Sequence, residues 1–281
     1  MRVGIVAHRR TPTNVALAQA REGVRVLAPA EALKQLHELD VAIARLDVAE
    51  GLDGIEVGLW ELARLRGAGV RVLNPPDALV AAHDKLATSR VLAGAGIPHP
   101  RTVHVTSPTA PLPFAAPVVV KPRFGSWGRD VALCQTADEL RSVLELDWNR
   151  RWFRAHGALV QELVPPVGHD LRLVVAGATV VGAIRRVAAP GEWRTNVALG
   201  AAREPVAPPA EACEIAVAAA RAIEADLVGV DLLPTPDGSH VVLELNGAVE
   251  FTQDYAVQPG CMFEHALEAI LPVVAPAATV V

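Results

Sequence analysis

Four short β-branched runs near the start of this 281-residue chain constrain its fold most: 3–7, 23–27, 40–44 and 69–73. Helix-like stretches at 14–22 and 59–65 lie between them. Strands that alternate with helices imply βαβ units and a parallel sheet. Asn74-Pro75-Pro76 stops the fourth run, so a first domain is expected over 1–80. The pattern then changes. A helix is predicted over 77–95, closed by Gly94 and Gly96 and broken by Ile97-Pro98-His99-Pro100. Strands at 102–105, 118–121, 130–134 and 158–162, with a helix over 136–146 capped by Thr136 and carrying Glu139 at the capping-box spacing, make 81–160 a small α+β domain. Strands at 171–175, 179–185, 227–233 and 240–245, with helices over 209–225 and 262–270, make 161–281 a second α+β domain. The apolar tail 272–281 is expected to be loosely ordered or packed on the body.

With 51% hydrophobic and 20% charged residues, a sizeable core is available. The net charge of −5 argues against nucleic acid as a partner. Cys134, Cys213 and Cys261 are scattered with no C-x-x-C, which argues for a reducing cytosol and against a disulfide framework or a zinc site. No apolar run approaches about 18 residues, and the N-terminal run is too short for a signal peptide. A cytoplasmic protein without membrane contact is expected.

Among 26 basic residues only Lys34, Lys85 and Lys121 are lysine. Ammonium and guanidinium differ in reach and geometry, so retained lysines in an arginine-rich chain attract notice. Lys121 ends a buried-looking strand and precedes Gly125-Ser126-Trp127-Gly128, the composition of a flexible flap over polyphosphate. A strand-end lysine before an ordinary turn has the same composition.

Asp237-Gly238 reads as a hairpin turn. With those two as the loop, Asp231 falls opposite Glu244, and Asn246 shares Glu244's face. A slip of one residue would send Asp231 to the other face. Carboxylates among Val, Leu and Gly need neutralising, and hard oxygen ligands suit Mg²⁺ completed by phosphate. Asp170 and Arg172 likewise share a strand face. Arg172, Arg185, Arg186 and Arg194 could bind phosphate or carboxylate bidentately, although any one of them has the composition of a surface charge.

In order, the motifs resemble the ATP-grasp superfamily, most closely the RimK/LysX-type amino-acid ligases: Asp84-Lys85, Lys121 with Gly125-Ser126-Trp127-Gly128, Gln161-Glu162, Asp170-Leu171-Arg172, Arg186 with Arg194-Thr195-Asn196, Gly229-Val230-Asp231 and Glu244-Leu245-Asn246. The resemblance implies an ATP-grasp fold behind an N-terminal parallel-sheet domain. It also implies a carboxylate–amine ligase acting through an acyl phosphate. Lys85 and Lys121 would bind ATP phosphates under the loop Gly125, Ser126, Trp127 and Gly128. Gln161, Glu162, Leu163 and Val164 would line the adenine, and Asp170 would meet the ribose. Asp231, Glu244 and Asn246 would hold Mg²⁺, with Mn²⁺ as the alternative. Arg186 and Arg194, with Asn196, would steady the transferred phosphoryl group and the tetrahedral intermediate, and Thr195 would join the ATP-binding residues. Glu250, Phe251 and Arg45 are candidates for the second substrate, with Gly247 leaving room beside them. Small-molecule or peptide carboxylates and amines, an amino-group carrier protein and a homo-oligomer (dimer or tetramer) are the expected partners. A kinase that stops at phosphoryl transfer and a non-catalytic nucleotide-binding module remain open as alternatives.

Overall fold

The computed structural model describes residues 1–46 and 57–271; the 272–281 tail lies outside them. The chain opens with β1 (Val3–Val6), α1 (Pro12–Gln19), β2 (Arg25–Leu27), α2 (Pro29–Lys34), β3 (Val41–Ala44), α3 (Leu59–Gly67) and β4 (Arg71–Leu73). Its strands form one parallel sheet in the order β2-β1-β3-β4. β1 and β3 are buried at every position, which is why they read as continuous apolar runs. The sequence does not announce α2: six residues are too few for a helical period to show.

The single helix expected over 77–95 is two, α4 (Pro76–His83) and α5 (Lys85–Gly94). Asp84 breaks it. Its backbone is extended, and its carboxylate caps α5 by accepting the Leu86 amide at 3.0 Å. The same carboxylate receives Arg123, with Nε at 2.7 Å. The break thus ties the start of α5 to the base of the glycine loop.

Next come β5 (Thr102–Val105), β6 (Val118–Pro122), β7 (Ala132–Cys134), α6 (Ala137–Trp148), α7 (Arg151–His156) and β8 (Ala158–Glu162). The strands form an antiparallel sheet in the order β5-β8-β6-β7. Val118, Val120 and Val160 pack against Leu140 and Leu144 of α6 and Trp152 and Phe153 of α7. The alternate positions Val119, Lys121 and Gln161 therefore face the other way. Thr136 caps α6 by accepting the Glu139 amide at 3.2 Å, while the Glu139 carboxylate takes the Gln135 amide, one residue earlier than a capping box would.

The last sheet contains β9 (His169–Ala176), β10 (Thr179–Val187), β11 (Ala202–Pro205), β12 (Leu227–Pro234) and β13 (His240–Asn246), antiparallel in the order β11-β10-β9-β12-β13. One face is apolar where α8 (Ala210–Ala222) covers it: Leu171, Leu173, Val175, Val228 and Val230 lie under its alanines, while Arg185 and Glu204 follow at the exposed end of the same face. The other face changes character along its length. Val174, Ala176 and Leu227 pack with Ile5, Leu17 and α9 (Met262–Ile270), whereas Asp170, Arg172 and Asp231 follow at the same strand parity. Apolar burial fixes one end of this face and leaves the charged end to the site.

Asn74 joins the two outer sheets. Its backbone is left-handed (φ 56°), a conformation Asn tolerates better than most residues. Its side-chain nitrogen donates to Leu227 O at 2.7 Å, and its oxygen accepts the Asp226 and Leu227 amides at 2.8 and 3.0 Å. Asn74→Ala should cost about 2–4 kcal/mol, because buried backbone groups lose their partners and the left-handed backbone is disfavoured. Urea unfolding measures this, and a cost below about 1 kcal/mol would show that solvent replaces the clamp.

Candidate active site

Asp231 is opposite Glu244, the pairing expected from the sequence, but the hairpin reaches it by another route. The strands close with Thr235 N donating to Ser239 O at 2.9 Å, a loop one residue out of register with an Asp237-Gly238 turn. A bulge after Asp231 restores the register: Leu232 pairs with Val242, leaving Leu243 as the extra residue. Without it, Glu244 would fall opposite Val230 and turn into the apolar layer under α8, away from Asp231.

Six charged residues then lie in register on one face of the sheet. Arg203 is opposite Arg186, and Arg186 is opposite Asp170. Two residues along β9, Arg172 is opposite Asp231, which is opposite Glu244. Arg172 holds Asp231 bidentately at 2.7 Å on both oxygens, and Arg186 reaches Asp231 Oδ2 at 2.8 Å. Asp170 is fully buried and accepts Arg186 Nε at 2.7 Å and Thr195 Oγ1 at 2.5 Å. Its oxygens position Arg186, and the residue also lines the smaller of the two cavities described below. Asp170, Asp231, Arg172 and Arg186 together carry no net charge. Burial opposes ionisation of Asp231, but Arg172 and Arg186 outweigh it and hold its carboxyl down to about 2. Burial pushes Asp170 up, against Arg186.

The neutralisation that the sequence leaves to a metal is therefore supplied here by the protein's own cations. Lys85 Nζ lies 3.4 Å from Glu244. Whether a metal still fits depends on the donors. Asp231, Glu244 and Asn246 offer only hard oxygen, and the amide nitrogen of Asn246 is buried without a partner. No cluster of three or more His, Cys, Asp or Glu able to hold a metal occurs among the described residues, so this is not an all-protein cage. Two carboxylates and one amide fit a cation whose remaining ligands come with the substrate.

Lys121 is buried, with Nζ donating to Gln161 Oε1 at 2.8 Å; Gln161 in turn donates to Thr102 Oγ1 at 2.8 Å. Val119 pairs with Gln161, so Lys121 sits one step along the same face. Burial, with the nearby charge of Lys85, brings Lys121 down to about 8, against the pull of Glu244. The glycine loop is tied down on both sides: Lys85 Nζ donates to Gly125 O at 2.5 Å and Arg194 to Gly128 O at 3.1 Å. A Cβ at Gly128 (φ 69°) would lie 2.6 Å from Asn196 Oδ1. Gly128→Ala should therefore lift the loop off Asn196 and raise the KM for ATP about tenfold with little change in Tm. An unchanged KM would show that the loop does not close on Asn196.

Two cavities flank these residues. The first, about 140 Å³, is lined by Lys85, Lys121, the loop, Gln161, Glu162, Leu163, Val164 and Thr195. The second, about 570 Å³, is lined by Arg172, Arg203, Asn246, Ala248, Glu250 and Tyr255. Both reach Arg186, Asp231, Glu244 and Asn196.

The second-substrate candidates separate. Glu250 borders the larger cavity, held by Thr11 Oγ1 at 2.8 Å and Arg45 at 3.3 Å. Phe251 is core, stacked on Phe263 at 5.3 Å, not a cavity wall. Arg45 is buried, donating to Asn14 Oδ1 and Val249 O at 2.6 Å, and anchors the chain behind Glu250. Gly247 makes room for a helix, not a substrate: a Cβ there would lie 2.8 Å from Leu79. The Arg123–Asp84 tie and Arg203 are not evident from the sequence. The only signal for Arg203 is the pair Arg203-Glu204, which mirrors Arg185-Arg186 across a strand too short to recognise.

A family model described as RimK-like ATP-grasp domain matches residues 82–257. Glutamate–LysW ligase ArgX of Sulfurisphaera tokodaii is 33% identical over 226 residues, 78% of this chain and 77% of that protein. Alpha-aminoadipate–LysW ligase LysX of the same organism is 31% identical over 71% of each. In fold, D-alanine–D-alanine ligase from Bacillus anthracis matches with a TM-score of 0.68 at 18% identity, over 96% of each chain. No helix among the described residues is long and apolar enough to cross a membrane. A family model over most of the chain, and relatives this similar along most of their length, establish that the chain belongs to the RimK-like ATP-grasp family and is an ATP-dependent carboxylate–amine ligase.

Proposed function

We propose that this ligase joins the amino group of an acidic amino acid to a carboxylate on a peptide or an amino-group carrier protein, with Mg²⁺ as its metal. The observation that carries this reading is the meeting of two cavities at Arg186, Asp231, Glu244 and Asn196. A nucleotide on one side and an acceptor on the other would share one charged wall. The relatives named for glutamate and aminoadipate support an acidic amine substrate.

In this reading the smaller cavity takes ATP. Lys85 and Lys121 bind its phosphates, the glycine loop covers them, and the backbone of 162–164 is left for the base because the Gln161 side chain is spent on Lys121 and Thr102. Asp231, Glu244 and Asn246 would hold Mg²⁺, whose chemistry is to neutralise phosphate charge and to orient the chain for in-line transfer. The substrate carboxylate oxygen attacks the γ-phosphorus, and ADP leaves with the electrons of the broken P–O bond. Arg186, fixed by Asp170 and Asp231, and Arg194 offset the charge of the transferred group. The amine nitrogen then attacks the acyl carbon. The C–O bond to phosphate breaks, and the amine gives up a proton. The closed loop keeps water from the acyl phosphate.

The test is incubation with ATP, Mg²⁺, L-glutamate or L-2-aminoadipate, and a peptide carboxylate, followed by mass spectrometry and phosphate assay. One ADP and one phosphate per amide is the expected result. A phosphorylated product that persists in the presence of amine would instead identify a kinase.

A further inference from the structure

The cross-strand pairs of β10 and β11 differ on their two faces. On the outer face Arg185 meets Glu204, an ordinary complementary pair with Nε at 3.0 Å. On the cavity face the same register sets Arg203 opposite Arg186. Like charges directly opposite on a sheet are unfavourable unless a third charge compensates. For Arg186 that compensation is present, in Asp170 and Asp231. Arg203 has none: among the described residues it makes no hydrogen bond or ion pair, although it lines the larger cavity. The other arginines there are committed, Arg123 to Asp84, Arg172 to Asp231, and Arg129 over the Trp127 ring at 4.8 Å. Arg203 is thus a solvent-exposed guanidinium lining the acceptor cavity, beside the residue that handles the transferred group, with no carboxylate of the protein paired to it among the described residues.

We propose that Arg203 receives the side-chain carboxylate of the amine substrate and so sets the preference for an acidic amino acid. This rests on the reading above that the amine is acidic. The chemistry asks for a dicarboxylate. A guanidinium binds a carboxylate through two parallel N–H bonds, and the matching amide can supply neither the charge nor a second acceptor. Placement on β11 also separates recognition from phosphoryl transfer. Arg203 is one strand away from Arg186, so it can hold the distal end of the substrate while the amine reaches the shared wall.

The experiment compares the binding of L-glutamate, L-2-aminoadipate and L-glutamine to protein loaded with MgADP, by isothermal titration calorimetry. Wild type should favour the better dicarboxylate over L-glutamine by about tenfold or more. Arg203→Ala should bring that ratio within about twofold while MgADP affinity stays unchanged. Glu204→Gln, which weakens only the outer pair, should keep the ratio. Should Arg203→Ala fail to bind MgADP, Arg203→Lys decides: it keeps the charge, loses the fork, and should lower the ratio without abolishing it. The proposal is overturned if wild type binds L-glutamine as well as both dicarboxylates, if the ratio survives in Arg203→Ala, if it survives undiminished in Arg203→Lys, or if Glu204→Gln abolishes it as completely. The ratio is read from binding alone. Absence of an amide product from wild type would therefore count against the ligase reaction, not against this assignment.

Discussion

Asp231→Asn should destabilise the protein by about 3–5 kcal/mol in the absence of metal, a large share of a typical domain's stability. The reason is the company Asp231 keeps. It is 3% exposed, it takes two hydrogen bonds from Arg172, and Arg186 lies 2.8 Å away. Removing its charge leaves the partly buried Arg172 without its carboxylate and the buried Arg186 with Asp170 alone. The sequence by itself suggests the opposite sign, since two clustered carboxylates awaiting a cation should repel and neutralising one should stabilise. Glu244→Gln provides the contrast: Glu244 is partly exposed, has Lys85 at 3.4 Å as its one ion pair among the described residues, and should cost less than about 1 kcal/mol. Urea unfolding in EDTA separates the two. The pH dependence follows from the low pKa of Asp231. Its contribution is complete above the ordinary carboxylate range near 4 and is lost as pH falls through about 2, so the gap between wild type and variant should close only in acid. An Asp231→Asn protein as stable as wild type at neutral pH would mean that the guanidiniums find other partners.

How much of this was legible in the sequence follows from the range of each interaction. The parallel sheet, the hairpin that carries Asp231 and Glu244, and the capped helix after Thr136 all rest on short-range patterns, and those patterns are present in the residues. Helix α2 and strand β11 are too short to show a period, so Arg203 was lost with β11. The break at Asp84 was hidden because its side chain caps a helix inside what looks like one amphipathic run. The site was legible as residue types and illegible as partnerships. Asp170 and Arg172 could be put on one face, and so could Glu244 and Asn246. That Arg172 sits opposite Asp231 depends on β9 lying beside β12, a long-range fact with no local signature. The bulge after Asp231 shows the same limit: the cross-strand pairing agrees with the expectation, yet it comes from a shifted loop and a compensating extra residue.

Lys121→Met should make the free protein more stable at neutral pH and leave it unable to turn over ATP. Lys121 is buried, and its one hydrogen-bond partner among the described residues, Gln161, is uncharged. Burial and the neighbouring Lys85 bring it down to about 8, against an ordinary lysine value near 10.4. A lysine that resists protonation when folded costs stability below its folded pKa. That cost fades as pH rises through the interval between the folded and unfolded values. A shift of this size corresponds to about 3 kcal/mol below pH 8. Methionine has a similar length, carries no charge and packs well in a gap of that shape. Against its gain stands the loss of the bond to Gln161, about 1 kcal/mol, so a net stabilisation of about 1–2 kcal/mol is expected at pH 7 and less at pH 10. ATP turnover should fall by a factor of about 10² or more, since nothing else on β6 can place a cation against the phosphates. The two readouts move in opposite directions, as they should where a charge is held in a poor environment for the sake of a ligand that supplies its counter-charge. A variant less stable than wild type at pH 7 would show that Lys121 is already compensated before nucleotide arrives. Unimpaired turnover would remove Lys121 from the phosphate site altogether.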